Sequence, residues 1–503
     1  MSAAAALGTT TYIEALVERL AGRGAAPVLR AGGRDIPAAA LRSAIHRHAR
    51  ALDALGIGRG SLVALLAPNC PDALAIRYAA SLLGAGSVFL SAPPAQESRA
   101  GLIAQMAPSL LVVFRDTAAL IPPGTPVRLA TVGIAIDGAV RLDHLAATES
   151  DAPLACAARP EDLGIIVSSG GTTGVPHGSW RSFAGYGALV AAPSPPGRRQ
   201  LVNGPLAYLS QTLVDATLLG GGSVVLRDGF DAADTLATIE RERITHLFLV
   251  EPQLFELMDH PDLSRRDLSS LRQLVHVGAS APPVLRRRAW ERLGPVIAHT
   301  YGASDMGLVS LLPPTGLDPA RPESFSSAGH VLPGVTLRLR CAGGGLAGVD
   351  EPGIVEIRSP AMATGYRNRP EEEAEAFRDG WFRSTDLARR DAAGALQVLG
   401  RAGDAIAVDG VTVLPTMIEE TLCRLPGIRY ASVVANPGMR CWVAAVVAWP
   451  GRCFDPAACE RAVADSHGDA LARAVTWLPV SRVPLTEQGK PDRAAILRLA
   501  AAA

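Results

Sequence analysis

Lysine is nearly missing from this chain. Of the 48 basic residues spread over 503 positions, every one is arginine except Lys490. Arginine offers a planar, permanently charged fork, whereas lysine offers a compact ammonium on a flexible stem, so the one lysine is either a chance survivor on a surface loop or a place where the fork would not serve. Net charge is also missing, because 48 acidic residues cancel the 48 basic ones. That balance excludes the broad positive footprint on which nucleic-acid binders rely. No apolar run approaches the ~20 residues that span a bilayer. The start, MSAAAALGTTTYIEALVERL, has no basic stretch ahead of its apolar residues and soon becomes charged. The expectation is a cytoplasmic protein, monomeric or homodimeric, with neither nucleic acid nor membrane as partner. Seven cysteines scattered from Cys70 to Cys459 show no CxxC spacing, which argues against a disulfide framework or a zinc site. They are expected to be small apolar residues in the core.

What the sequence has in quantity is apolar material, 48% of its residues, in a chain too long for a single ordinary core. From about 60 to 280, short apolar runs (SLVALLAP, SVFLSAP, LLVVF, LGIIVSS, SVVLRD, HLFLV, LRQLVHVG) alternate with helix-like segments such as PDALAIRYAASLL and DAADTLATIERERI. Runs that are apolar throughout suit parallel strands, which are covered on both faces. From 325 to 400 the texture shifts to shorter strands with Gly and Pro turns. After GRAGDA, the last hundred residues read as a strand at VTV, a helix from Pro415, strands at YASVVAN and CWVAAVVAW, and a final helix. The expected fold class is α/β: a large N-terminal domain, 1–400, with mostly parallel sheets flanked by helices and a β-rich subdomain at about 325–400, followed by a small mobile α+β C-terminal domain, 401–503. The hinge is placed near Gly403.

Directly after the apolar strand LGIIV comes VSSGGTTGVPHG, residues 167 to 178. A Gly, Ser and Thr loop leaving a strand presents backbone N–H groups and hydroxyls that can converge on phosphate oxygens. Taken alone, it is equally a surface turn. No GK[ST] follows it and it lacks dinucleotide-loop spacing, so it is neither a P-loop nor a Rossmann turn.

Together with YGASDMG at 301–307, GWFRSTDLARRD at 380–391, GRAGDAIAVDGVTVLP at 400–415 and PLTEQGK at 484–490, this loop resembles the motif series of the adenylate-forming superfamily, in order and in approximate spacing. That superfamily comprises acyl- and aryl-CoA synthetases, stand-alone adenylation domains and luciferases. The resemblance runs from about 35 to 495. It implies attack of a carboxylate on the α-phosphate of ATP, release of pyrophosphate and transfer of the activated acyl group to a thiol.

On this resemblance, Ser168, Ser169, Gly170, Gly171, Thr172, Thr173 and Gly174 cradle the leaving phosphates, with His177 at the end of the loop. Tyr301 and Gly302 lie against adenine, with Gly278, Ala279 and Ser280 on its other side. Ser304 touches the α-phosphate, Asp305 holds Mg²⁺, and Asp386 binds the ribose hydroxyls with help from Arg401. Lys490 supplies the ammonium between attacking carboxylate and phosphate. ATP and Mg²⁺ are the implied cofactors, with CoA or a separate carrier protein as acceptor. Tyr208 and Ala303 fall at positions that line the acid pocket, and Tyr208 is equally explained by core packing.

Four positions depart from the family pattern. His177 stands where a lysine is usual, Asp305 replaces a glutamate, Gly403 replaces the common hinge Asp or Lys, and Ala407 replaces a lysine that serves thiol transfer. No aspartate matches the one that pairs with an α-ammonium in amino-acid-activating relatives, since Asp215 lies a few residues too late. The expected substrate is therefore an aromatic or medium-chain acid without a free α-amine. Thiol ligation leads. Amide ligation or nitrite-dependent diazotisation of an aryl amine, and a non-catalytic adenylate-binding role, are the alternatives.

Overall fold

The wholly apolar runs can be buried on both faces only if neighbouring strands sit inside a helix-covered sheet, and two such sheets form. The computed structural model describes residues 10–502 except 94, 169–177, 192, 193, 196, 279, 280, 409 and 437–440. In one sheet of eight strands, Leu62–Leu66 lies between Gly86–Phe89 and Leu110–Phe114 in parallel register, and Leu163–Ser168 continues the parallel order. The strand Gly178–Ser182 pairs with it antiparallel, and the short Gly365–Tyr366 forms the edge beyond. The second sheet has nine strands and a parallel centre of Arg199–Val202, His246–Val250, Gln273–Val277 and Ile297–Ala303. Gly307–Leu312 then turns back antiparallel.

Both helix-like segments are helices, Pro71–Leu82 and Ala232–Glu242. Proline opens the first, where its missing N–H costs nothing. Asp231 caps the second by accepting from the Asp234 N–H, and the left-handed Arg243 ends it. The β-rich stretch is a five-stranded antiparallel sheet running from Thr336–Arg340 to Leu396–Arg401. Beyond it, Val411–Val413, the helix Pro415–Cys423, the strands Ile428–Asn436 and Cys441–Ala448 and the helix Arg493–Ala502 fall where they were expected. A third strand, Val475–Pro479, pairs parallel with Cys441–Ala448 and was not legible, being short and interrupted by polar residues. No helix among the described residues is long and apolar enough to cross a membrane.

All seven cysteines are free, but the expectation of burial needs correction: only Cys423 and Cys459 are buried, and Cys453 is exposed. Asp215, considered above as an amine partner, lies instead in the core. Its carboxylate pairs with Arg77 and accepts from the hydroxyls of Tyr78 at 2.5 Å and Tyr186 at 2.6 Å, and all four side chains are fully buried. Arg77 also donates to Gln211 Oε1 at 3.1 Å. The cluster clamps Pro71–Leu82, Phe183–Val190 and Gln211–Leu219 behind the sheets.

Breaking this cluster from one side strands a buried charge. We expect Asp215→Ala to lower stability by about 3–5 kcal/mol, and the apolar double replacement Arg77→Met with Asp215→Leu to lose less. Denaturant unfolding of the three proteins checks this, and a larger loss in the double variant would contradict the charge argument.

Candidate active site

Ligands of open α/β sheets gather outside the carboxyl ends of the parallel strands. Here those ends open onto a cavity of about 1080 Å³. Gly278 follows the strand Gln273–Val277, and the strand Ile297–Ala303 ends in Tyr301, Gly302 and Ala303 before the turn through Ser304 and Asp305. All of these residues line the cavity. The pairing register slips between Tyr301 and Gly302, and a β-carbon on Gly302 would fall 2.3 Å from the Gly307 carbonyl oxygen, so only glycine fits. The fully buried Arg181 pins the turn by donating to the carbonyls of Ser304 at 2.6 Å and Ala361 at 2.8 Å. Desolvation pulls its guanidinium down to about 10.

The antiparallel sheet supplies the facing wall. Its register sets Asp386 opposite Arg401. The Tyr301 hydroxyl donates to Asp386 Oδ2 at 2.7 Å, and the Asp386 N–H is held by Ser384 Oγ at 3.0 Å. Burial lifts the Asp386 carboxyl above its usual range, against the opposing effects of Tyr301, Arg401 and Lys490. Burial and the neighbouring Asp386 charge likewise raise the Tyr301 phenol.

Lys490 reaches the same cavity from the C-terminal part of the chain. Its segment is a narrow loop in which Leu485 bridges Pro491, the Thr486 N–H donates to the Lys490 carbonyl at 2.7 Å and the Gly489 N–H to the Thr486 carbonyl at 2.8 Å. Gly489 has φ +79°, and a β-carbon there would meet Gln253 Nε2 at 2.8 Å and Val250 Cγ2 at 3.0 Å. The loop tip is thus seated against the helix Glu251–Met258, and glycine is required by both conformation and space. The side chain of Lys490 is accessible, yet it stands inside the cavity and not on the outer surface: a β-carbon on Gly278 would lie 4.0 Å from Lys490 Cε. Enclosure, and then the Arg401 guanidinium, pull its ammonium below the ordinary lysine range, while Asp386 and Asp305 act the other way.

Of the remaining expected residues, Ser168 ends its strand buried at the cavity wall, with its hydroxyl 3.4 Å from the Phe89 carbonyl that accepts from it. Tyr208 also lines the cavity, as do the apolar Leu209, Leu213 and Phe248. Ser169 to Gly174, His177, Ala279 and Ser280 lie outside the described residues. Ala407 is exposed in the strand Ile406–Val408 and does not line the cavity. Two residues escaped the sequence reading. Arg181 is one among dozens of arginines, and only its burial singles it out. Glu487, three residues before Lys490, accepts from the Ala92 N–H at 3.0 Å and the Tyr208 hydroxyl at 3.3 Å. A carboxylate in the middle of the lysine loop was the available signal.

Comparison with known proteins agrees with this geometry. The family model described as AMP-binding enzyme matches residues 16–367. The medium/long-chain-fatty-acid–CoA ligase FadD8 of Mycobacterium tuberculosis is 31% identical over 499 residues, covering 93% of this chain and 86% of its own. A feruloyl-CoA synthase of an Amycolatopsis species is 32% identical over 429 residues, covering 82% of this chain and 83% of its own. Among solved structures, the amide bond synthetase McbA of Marinactinospora thermotolerans superposes with a TM-score of 0.83 at 30% identity, covering 97% of this chain and 99% of its own. The chain belongs to the AMP-binding enzyme family.

Proposed function

We propose that the protein is an AMP-forming ligase: it uses ATP to adenylate an aromatic or medium-chain carboxylic acid, releases pyrophosphate and passes the acyl group to a thiol of CoA or a carrier protein. The observation that carries the reading is the convergence of Lys490 with Tyr301, Asp386, Arg401 and Asp305 on one cavity. Tyr301 gives an adenine ring a flat surface, and its hydrogen bond aims Asp386, which takes both ribose hydroxyls. The apolar end at Leu209, Leu213 and Phe248 suits an aryl or alkyl group, with Tyr208 closing it. The printed substrates of the relatives, a fatty acid and ferulate, fall in the same class.

As a carboxylate oxygen attacks the α-phosphorus, two anionic groups are forced together. Lys490 meets both with one small charge, and a preorganised cation of this kind stabilises the crowded transition state. Asp305 offers a hard carboxylate oxygen at the phosphate side of the cavity, which fits Mg²⁺, an ion that takes one or two protein carboxylates and otherwise phosphate and water oxygens. Bound there, it would offset charge on the departing pyrophosphate. Gly403 serves as the hinge for the second step. A β-carbon at 403 would touch nothing within 4 Å, so packing does not require glycine in this arrangement and its freedom remains for another.

Three outcomes follow. Lys490→Ala and Lys490→Arg should each lose about two powers of ten in acid-dependent ATP–pyrophosphate exchange, equivalent to ~3 kcal/mol, while ATP still binds in calorimetry. Exchange at wild-type rate in either variant would remove the proposed role. Because only the ammonium form acts and its pKa is lowered in the free enzyme, kcat/KM for ATP should fall at alkaline pH with an apparent pKa below that of free lysine, and bound polyphosphate should shift the kcat limb upward. Loss of the hydrogen bonds to ribose in Asp386→Ala should raise KM for ATP by roughly tenfold to a hundredfold, about 1.5–3 kcal/mol, read in the same exchange assay.

A further inference from the structure

Behind the lysine loop lies a second cavity of about 430 Å³, lined by Asp228, Gly229 and Phe230 on one side and Arg482, Thr486 and Glu487 on the other. Asp228, Gly229, Arg482 and Thr486 are exposed, so this space opens to solvent. It shares Asn203, Pro205 and Gln253 with the main cavity. Tyr208 faces only the main cavity and Glu487 only the second, and the 3.3 Å hydrogen bond between them is part of the partition. Tyr208 is not held in regular structure: at φ −122° and ψ −141° it interrupts the helical turn Leu206–Ser210. The partition is therefore a single ring on an irregular backbone, its hydroxyl shared among Glu487, Ser91 and Gln488.

The charge of the space selects its visitor. Arg482 is the one cation among its described lining residues, and it is committed to Glu256 through two contacts at 2.8 and 3.0 Å. Asp228 and Glu487 remain, so the vestibule repels the phosphates of a nucleotide-bearing thiol and attracts an ammonium. Its volume lies in the range of small-molecule sites.

We propose that this second cavity is an acceptor vestibule through which a small primary amine reaches the acyl adenylate while the lysine loop stays docked, with Glu487 as the base that takes its proton. The inference rests on the adenylation reading above and adds a second acceptor to the thiol. The incoming ammonium gives one proton to the Glu487 carboxylate. The nitrogen lone pair then forms the C–N bond at the acyl carbon, the bond from that carbon to the phosphate oxygen breaks, and AMP leaves with the electron pair. The second N–H proton passes to solvent, so the products are an amide, AMP and two protons. Glu487 is itself exposed at the mouth of the vestibule, and partial desolvation there raises its carboxyl, which makes its ionised form a better base.

The test uses the full-length enzyme with ATP, Mg²⁺ and whichever of benzoate, ferulate or indoleacetate supports pyrophosphate exchange, then adds benzylamine without CoA and measures the benzylamide by mass spectrometry. We expect saturable amide formation. Glu487→Gln keeps an oxygen for the Ala92 and Tyr208 contacts but not the proton acceptor, so its ratio of amide to pyrophosphate released should fall about a hundredfold. Gly229→Phe fills the vestibule from a position where a β-carbon meets nothing within 4 Å, and should raise KM for benzylamine at least about fivefold without a matching loss of thioester when CoA is supplied. Exchange without amide, or amide insensitive to both substitutions, overturns the vestibule while leaving the ligase reading intact. Equal loss of amide and thioester in Gly229→Phe overturns the assignment to amines. Absence of exchange with every acid removes the ligase reading and this inference together.

Discussion

The site depends on one act of docking, in which a short loop from the last twenty residues of the chain is pressed against the helix Glu251–Met258 so that an ammonium enters a cavity built by other elements. The geometry of the loop explains why it carries a glycine and a lysine in sequence. Gly489 must lie almost in contact with Gln253, in a left-handed conformation, for the following side chain to clear the wall and reach the space beside Gly278. A guanidinium spreads its charge over a flat fork, while an ammonium presents it from a single atom.

The cavity that receives this charge is arranged as an electrostatic alternation. Arg401 and Asp386 face each other across one strand pair, Tyr301 bonds Asp386, and Asp305 lies across the floor. Each carboxylate offsets part of the repulsion between Lys490 and Arg401. Buried arginines hold this arrangement in place, Arg181 from the cavity wall and Arg77 from behind it. Arg181 fixes the turn at Ser304 through two carbonyls, and the Arg77–Asp215 cluster holds the helices behind it. Buried guanidiniums paired with acceptors are costly to assemble and costly to break, which favours a single arrangement of the turn.

How much of this the sequence disclosed varies with how local the signal was. Parallel strands, the antiparallel sheet and the C-terminal unit were legible because their apolar runs and turn residues are contiguous. Lys490, Tyr301 and Asp386 were legible because each sits in a motif of several residues. Arg181 and the partnership of Asp215 with Arg77 were not, since an arginine inside the core is distinguished from a surface one only by what the rest of the chain packs around it. Composition misled on the cysteines: small sulfur side chains tolerate half-exposed strand ends and loops as readily as cores, so counting them says little about burial. Glu487 was passed over for a related reason. Its meaning comes from Ala92 and Tyr208, hundreds of residues away in sequence.

The seam around the docked loop also shows what drives closure. Its ion pair between Arg482 and Glu256 is largely exposed on the arginine side and contributes at most about 1 kcal/mol. Arg429 reaches Asp259 at 3.0 Å, and the Phe255 and Tyr430 rings pack at 5.1 Å. Against these contacts stand two carboxyls in the same seam: desolvation raises both, helped at Glu251 by the Glu419 charge and at Glu419 by the Asp404 charge. A raised carboxyl favours the closed form while protonated and loses that contribution as pH rises through the raised value, so at neutral pH this pair opposes docking. Lys490 also stands in the field of Arg401, which opposes its charge. On the proposed function, a polyphosphate bound between the two cations would relieve that repulsion, and its binding would be linked to docking of the lysine loop by the same amount of free energy.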